Sequence, residues 1–313
     1  TKAPIWIWHH AHAYPADQWG PGVVRRARHL YVSKWQRKVL EAQAGVASIG
    51  AVISNGVPTE QILAAQNGSG RRDRYRCIWA SMPTRRLDRL VDVWPEIKRR
   101  WSRATLDIYY GMHTVAQLWR TRDPDMIARM HALRAQIAAL QPYGVTWRGR
   151  VGHAALTREM WTAGALPYPS DFPETFMIAA SRAAACGMIP VVLGSGSLHE
   201  TSPVPPVGGP VDDEGWDAVT REAWLEALGR AFATTPAERA ALSDQVITYR
   251  SWDEVAARLD AALAADDDFV PPRTLLENIV ARVWQEILGT QRVGVYDNFF
   301  DLGGNSVLCH YVS

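Results

Sequence analysis

The chain has 313 residues, of which 47% are hydrophobic and 21% charged, with a formal net charge of +2. That balance supports one or two globular domains with a real core, and it excludes a disordered, collagen-like or coiled-coil chain. A charge so close to neutral gives no case for nucleic-acid binding or for a polybasic membrane anchor.

In chain order, residues 5–8 read as a short buried strand ending at His9 and His10. Residues 29–33 read as a second strand, with Ser33 placed to cap a helix beginning at Lys34. A third strand at 51–54 is stopped by the turn signal of Asn55, Gly56 and Pro58. After a polar loop near 66–74 the alternation becomes regular. Strands are predicted at 75–79, 106–110, 145–147, 165–168 and 189–193, with helices at 85–100, 124–140 and 173–185 among them. Strands alternating with helices of this length indicate βαβ units and a parallel sheet covered on both faces. Beyond a Pro-, Gly- and Asp-rich loop at 202–215, helices are predicted at 216–233 and 252–265. Residues 266–273 read as a linker, and Thr274 with Glu277 forms a capping-box pattern before an apolar-faced helix. No apolar run reaches the ~20 residues of a bilayer span. Cys77, Cys186 and Cys309 stand far apart with no zinc-type spacing, which predicts a reducing, cytoplasmic setting. With Thr1 directly ahead of a strand, the sequence is expected to begin inside a longer protein.

The string from Asp297 through Phe299, Phe300, Leu302, Gly303, Gly304 and Asn305 to Ser306 resembles the phosphopantetheine attachment region of peptidyl and acyl carrier domains. Two glycines permit a tight turn, and a serine at the start of the next helix holds its hydroxyl, and later a phosphodiester, where the helix dipole favours an anion. The resemblance implies Ser306 as the attachment point of 4′-phosphopantetheine, a phosphopantetheinyl transferase as partner, and assembly-line synthetase or tailoring enzymes as neighbours. An ordinary helix cap is the alternative. Such a carrier has two further helices, so residues 274–313 are expected to be a partial carrier domain.

A second resemblance covers roughly residues 4–263. The string Ser170, Asp171, Phe172, Pro173, Glu174, Thr175, Phe176, then Cys186 and Gly187, then Gly194, Ser195, Gly196, Ser197 is similar to the donor half of nucleotide-sugar glycosyltransferases of the two-Rossmann (GT-B) type, the broad family 4 group. It implies an α/β fold of doubly wound parallel sheets. Residues 1–56 would be the remnant of an N-terminal Rossmann-like domain, and residues 57–265 the nucleotide-sugar domain with its C-terminal helices. It also implies retaining, metal-independent transfer from a nucleotide-diphosphate sugar.

Ligands of open α/β sheets bind beyond the carboxyl ends of the strands. Two strands there are followed by Ser81, Met82, Pro83 and by Ser170, Asp171, Phe172, Pro173, which predicts two helix N-termini facing a diphosphate. Arg85, just inside the first helix, would neutralise the phosphates. Glu174, in the first turn of the second, would accept bonds from sugar hydroxyls. The loop Gly194, Ser195, Gly196, Ser197 would offer backbone donors, and His10 is the candidate acid/base. The alternatives are a solvated surface arginine, a dipole-pairing glutamate and a packed histidine. Two positions depart from the family pattern: Arg182 stands where a second glutamate would bind ribose hydroxyls, and Arg86 where glycine is usual. They support a different reading, a non-catalytic scaffold that positions the carrier. An epimerase or phosphorylase on the same fold is a third.

Overall fold

Runs of aromatic, aliphatic and β-branched residues form parallel strands close to where the sequence marks them. The computed structural model describes residues 5–15, 18–24, 27–111, 124–209, 216–264, 270–290, 292–300 and 302–303. Strands β1 (Trp6–His9), β2 (Arg28–Tyr31) and β3 (Gly50–Val52) form one sheet in that order. A second, five-stranded sheet comprises β4 (Asp73–Trp79), β5 (Thr105–Ile108), β6 (Val145–Trp147), β7 (Ala163–Tyr168) and β8 (Ile189–Val192), in the order β6-β5-β4-β7-β8. Every pairing is parallel. The order runs outward in both directions from β4 and β7, so the switch point of the sheet lies between their carboxyl ends, where open α/β sheets bind ligands.

The helices are α1 (Pro21–Val24), α2 (Lys34–Ala44), α3 (Thr59–Gln66), α4 (Leu87–Arg100), α5 (Pro124–Ala139), α6 (His153–Thr162), α7 (Ile178–Ala185), α8 (Leu198–Thr201), α9 (Ala218–Ala233), α10 (Pro236–Arg250), α11 (Trp252–Ala264) and α12 (Leu275–Leu288). No helix among the described residues is long and apolar enough to cross a membrane. Ser33 caps α2 as expected, its hydroxyl accepting the Gln36 amide. Burial of both sheet faces makes β7 solvent-free along its whole length. The core includes Trp79, Trp94 and Trp224, all fully buried, and truncating any of them to alanine costs about 3–5 kcal/mol. Cys77 and Cys186 are buried and unpaired.

Two expectations are corrected. The helices after β4 and β7 do not begin at Pro83 and Pro173 but at Leu87 and Ile178, with Arg86 and Met177 at the cap positions. The reason is local. Ser-x-Pro and Asp-Phe-Pro start turns as readily as helices, and here the capping groups are used within the turn. The Ser170 hydroxyl accepts the Phe172 amide at 3.1 Å, and Asp171 pairs with Arg86 and Arg89 at 2.9 and 2.7 Å.

The chain divides into two compact units, residues 1–255 and 256–313. In the second, the capping box of Thr274 and Glu277 opens α12, and Gly289 ends it in the left-handed conformation. Trp284 of α12 meets Phe299 edge-on at 5.0 Å. The turn after Phe300 closes with Gly303 at φ 98°, a conformation that suits glycine. Gly304 and Ser306, and the acidic stretch of the linker at 266–269, lie outside the described residues.

Candidate active site

Arg85 and Glu174 arrive at the switch point from different strands, and the structure brings them together. Arg85 lies in the turn after β4 and Glu174 in the irregular segment after β7, four residues ahead of α7. Neither is in a helical turn, contrary to expectation. Arg85 Nη1 donates to Glu174 Oε1 at 3.2 Å, and the same carboxylate oxygen accepts the Tyr168 hydroxyl at 2.6 Å. Tyr168 is the last residue of β7, and its ring stacks on Trp79, the last of β4, at 5.1 Å. A core aromatic pair therefore fixes the height of the carboxylate. Burial and the adjacent Glu174 charge push the Tyr168 hydroxyl well above its usual pKa, keeping it a donor. The Arg85 guanidinium also lies 3.1 Å over the Phe172 ring, whose edge meets His12 at 5.5 Å.

The Gly194–Ser197 loop uses two of its amides within the protein. Its amides at Ser195 and Ser197 donate to Leu193 O and Glu174 O, at 2.9 and 2.8 Å. The Ser195 hydroxyl donates to Asp171 O at 2.5 Å, and the Ser197 hydroxyl bonds Thr201 at 3.0 Å. These groups are used inside the protein and are buried. Through its Ser197 amide the loop seats Glu174. Gly196, at φ 59°, lies so close that a Cβ there would stand 2.6 Å from both the N and the O of Glu174.

Ser81 does not cap a helix. Its carbonyl accepts the Trp79 indole N–H at 2.7 Å, which ties the turn after β4 to the end of that strand. Arg86 is the one non-glycine residue with positive φ among the described residues, at 69°. That backbone explains why glycine suits the position, since a side chain there costs about 1–2 kcal/mol. The ion pair with Asp171 holds the arginine in place. Arg182 Nη1 contacts His153 Nδ1 at 2.6 Å, at the start of α6.

The N-terminal sheet closes over this region. Thr175 Oγ1 donates to the His10 carbonyl at 3.1 Å, which brings His10 to the segment carrying Glu174. The His10 ring lies on the surface, 5.6 Å from Trp8, and partial desolvation lowers its pKa. Its neighbour His9 is buried and points elsewhere. Tyr14 OH, His9, His29 and the Val24 carbonyl form a chain of bonds at 3.0, 2.8 and 3.1 Å. Desolvation, then the charges of His29 and His10, push His9 down to about 4. Glu200 of α8 joins the two sheets: its carboxylate accepts the first two amides of α2, Lys34 N at 3.3 Å and Trp35 N at 2.6 Å. The sequence reading missed Tyr168, Asp171 and Glu200 as site partners. Only the capping turn around Asp171 carried a signal. The other two are recognisable only once the strand ends converge.

No family model matches the chain. Two stretches of similarity to curated proteins are short. One is 51% identical over 45 residues to a linear gramicidin synthase of Brevibacillus parabrevis, and the other 47% identical over 51 residues to a plipastatin synthase of Bacillus subtilis. They cover 14% and 16% of this chain and only 1% and 2% of those synthases. Among solved structures, Anabaena HepE in complex with UDP and glucose superposes with a TM-score of 0.59 at 14% identity, over 84% of this chain and 72% of that one. A glycosyltransferase of Rickettsia africae gives 0.59 at 14%, over 84% and 70%. A UDP-forming trehalose-phosphate synthase of Burkholderia vietnamiensis gives 0.57 at 12%, over 84% and 67%. The fold is that of the GT-B glycosyltransferases.

Proposed function

We propose that the chain is a glycosyltransferase that takes a sugar from a nucleotide-diphosphate donor at the crevice between β4 and β7, and that it is fused to a phosphopantetheine carrier segment. The observation that carries this reading is the Arg85–Glu174–Tyr168 group at the switch point, backed by the Gly196 loop and bordered by the His10 backbone, whose carbonyl accepts from Thr175. Arg85 and Ser81 meet the diphosphate, and Glu174 accepts from sugar hydroxyls. His10, at the opposing edge, is placed to accept or donate the acceptor's proton. A diphosphate arriving at Arg85 exchanges one anionic partner for another, which releases Glu174 from Arg85 and leaves its carboxylate, still held by Tyr168, to accept from the sugar. Transfer with retention and without a metal ion follows the family likeness. Residues 57–265 form the donor domain in this reading, residues 1–56 the N-terminal Rossmann part and residues 274–313 the carrier part. A cytoplasmic location suits both nucleotide sugars and carrier loading.

The short likeness to peptide synthases and the Phe299–Gly303 turn support Ser306 as the carrier serine. The bound arm would supply a thiol for thioester attachment, and the protein's part is to present the Ser306 hydroxyl. A second reading, a scaffold without transfer activity, draws on the internal pairing of Asp171 with Arg86 and Arg89 and of Arg182 with His153. Calorimetric titration of UDP-glucose and other nucleotide-diphosphate sugars separates the two. Binding that Arg85→Ala weakens supports the transferase. If no nucleotide sugar binds the intact protein, the scaffold reading stands.

A further inference from the structure

A cavity of about 1070 Å³ opens at the amino-terminal end of the five-stranded sheet, where its central strand β4 begins at Asp73. Five arginines line it, Arg71, Arg72, Arg74, Arg103 and Arg239, against two carboxylates, Asp73 and Asp244. One cavity thus carries an excess of three positive charges in a chain whose formal net charge is only +2. Arg72 and Arg239 form its floor. Arg239 is 4% exposed and donates to the carbonyls of Gly164, Gly187 and Ala231 at 2.6, 3.1 and 2.5 Å. Arg72 donates to the carbonyls of Ala163 and Cys186. These neutral partners orient the guanidiniums but do not cancel their charge, an expensive arrangement for buried cations. Burial first, and then the charges of Arg72 and Arg74, push the Arg239 guanidinium down to about 10. At the rim, Arg71 is exposed, and Arg74 and Arg103 flank the Tyr75 ring at 4.8 and 5.2 Å.

A concave surface of one sign focuses its field on a ligand, and guanidinium forks match phosphate oxygens. The cavity is far larger than a single phosphate requires and lies at the upper end of small-ligand sites. Two phosphoryl groups at about −1.5 each balance the excess charge. We propose that this cavity binds a small anion bearing a diphosphate group, at a site separate from the crevice. The seven residues of β4 separate the two sites by about 20 Å.

The test is calorimetric titration of the intact protein with inorganic pyrophosphate and, separately, with ADP, repeated on Arg85→Ala and on the double variant Arg71→Glu/Arg103→Glu. Arg71 is exposed and Arg103 makes only a long, solvent-exposed pair with Asp73 at 4.0 Å and a contact with the Tyr75 ring, so the double variant is expected to lose no more than about 1 kcal/mol of stability. Binding of pyrophosphate at the cavity should be as tight in Arg85→Ala, where the crevice is weakened, as in the parent, and about tenfold or more weaker in the double variant. ADP binding with the same rim dependence identifies a nucleotide as the natural source of the diphosphate. Pyrophosphate binding without ADP binding identifies a free or non-nucleoside diphosphate. Absence of pyrophosphate binding at millimolar concentration overturns the proposal, as does binding that Arg85→Ala abolishes and the rim variant keeps. Should the double variant unfold, Arg71→Ala alone carries the test, with a loss of about threefold expected and an unchanged affinity counting against the site.

Discussion

Gly196→Ala tests whether the glycine-rich loop is the seat of Glu174. Two costs combine. An alanine at φ 59° carries about 1–2 kcal/mol of backbone strain. Its Cβ would also stand 2.6 Å from the N and O of Glu174 and 2.7 Å from the Pro173 carbonyl carbon. All three are backbone atoms, so no side chain can swing aside. Relief requires the 173–174 segment to move away, at the expense of the Ser197 N to Glu174 O bond, worth about 1 kcal/mol. The expected destabilisation is about 2–4 kcal/mol. Gly45 is the matched control, because it ends α2 at φ 69° and a Cβ there would meet nothing within 4 Å. Gly45→Ala should show the strain alone, about 1–2 kcal/mol, and leave donor affinity intact. Urea unfolding of both variants and titration with a nucleotide-diphosphate sugar give the readouts. Equal destabilisation by the two substitutions, or full donor affinity in Gly196→Ala, would refute the idea that this loop positions the carboxylate.

Arg85→Ala should weaken donor binding by about 1.5–3 kcal/mol, as for a charge-assisted bond to phosphate; unchanged affinity by calorimetry removes Arg85 from the site. His9 makes stability fall in acid. Its folded-state pKa of about 4 lies below the ordinary 6.5, so the unfolded chain takes up the proton first. The contribution is intact above pH 6.5 and is lost as pH falls toward 4, to a total of about 3 kcal/mol. Urea midpoints between pH 4 and 7 should therefore fall more steeply for the parent than for His9→Gln, and parallel curves would contradict the assignment. A phosphopantetheinyl transferase with coenzyme A should add one arm to the intact protein, read by mass spectrometry, and Ser306→Ala should abolish the addition. Modification at another serine defeats that assignment.

The strands were legible because buried parallel strands are written as short apolar runs between turn residues. That ligands meet such a sheet beyond the carboxyl ends of its strands was also legible; the switch point between β4 and β7 emerged only with the spatial order of the strands. Helix starts were less legible. Ser81 to Pro83 and Asp171 to Pro173 carry the residue types of a helix entry, yet the partners that claim Asp171, namely Arg86 and Arg89, come from another βα unit. No local pattern announces a long-range ion pair. The helix at Pro236–Arg250 was missed although Thr235 and Glu238 form a complete capping box; its sparse apolar face hid it. Arg85 and Glu174 were both identifiable from the sequence. That they pair with each other, and that Tyr168 shares the carboxylate, depends on strand ends converging from 89 residues apart in sequence.

The Glu200 carboxylate that holds the first amides of α2 has a mechanical consequence. Its helix is four residues long and begins immediately after Ser197, whose amide holds Glu174. A rotation of the N-terminal sheet away from the crevice must either break the Glu200 bonds or draw that short helix with it. In the second case the pull reaches Gly196 and the Glu174 carboxylate within one turn of chain. Glu200 then acts as a tie-rod, and the width of the entrance and the placement of Glu174 become a single degree of freedom.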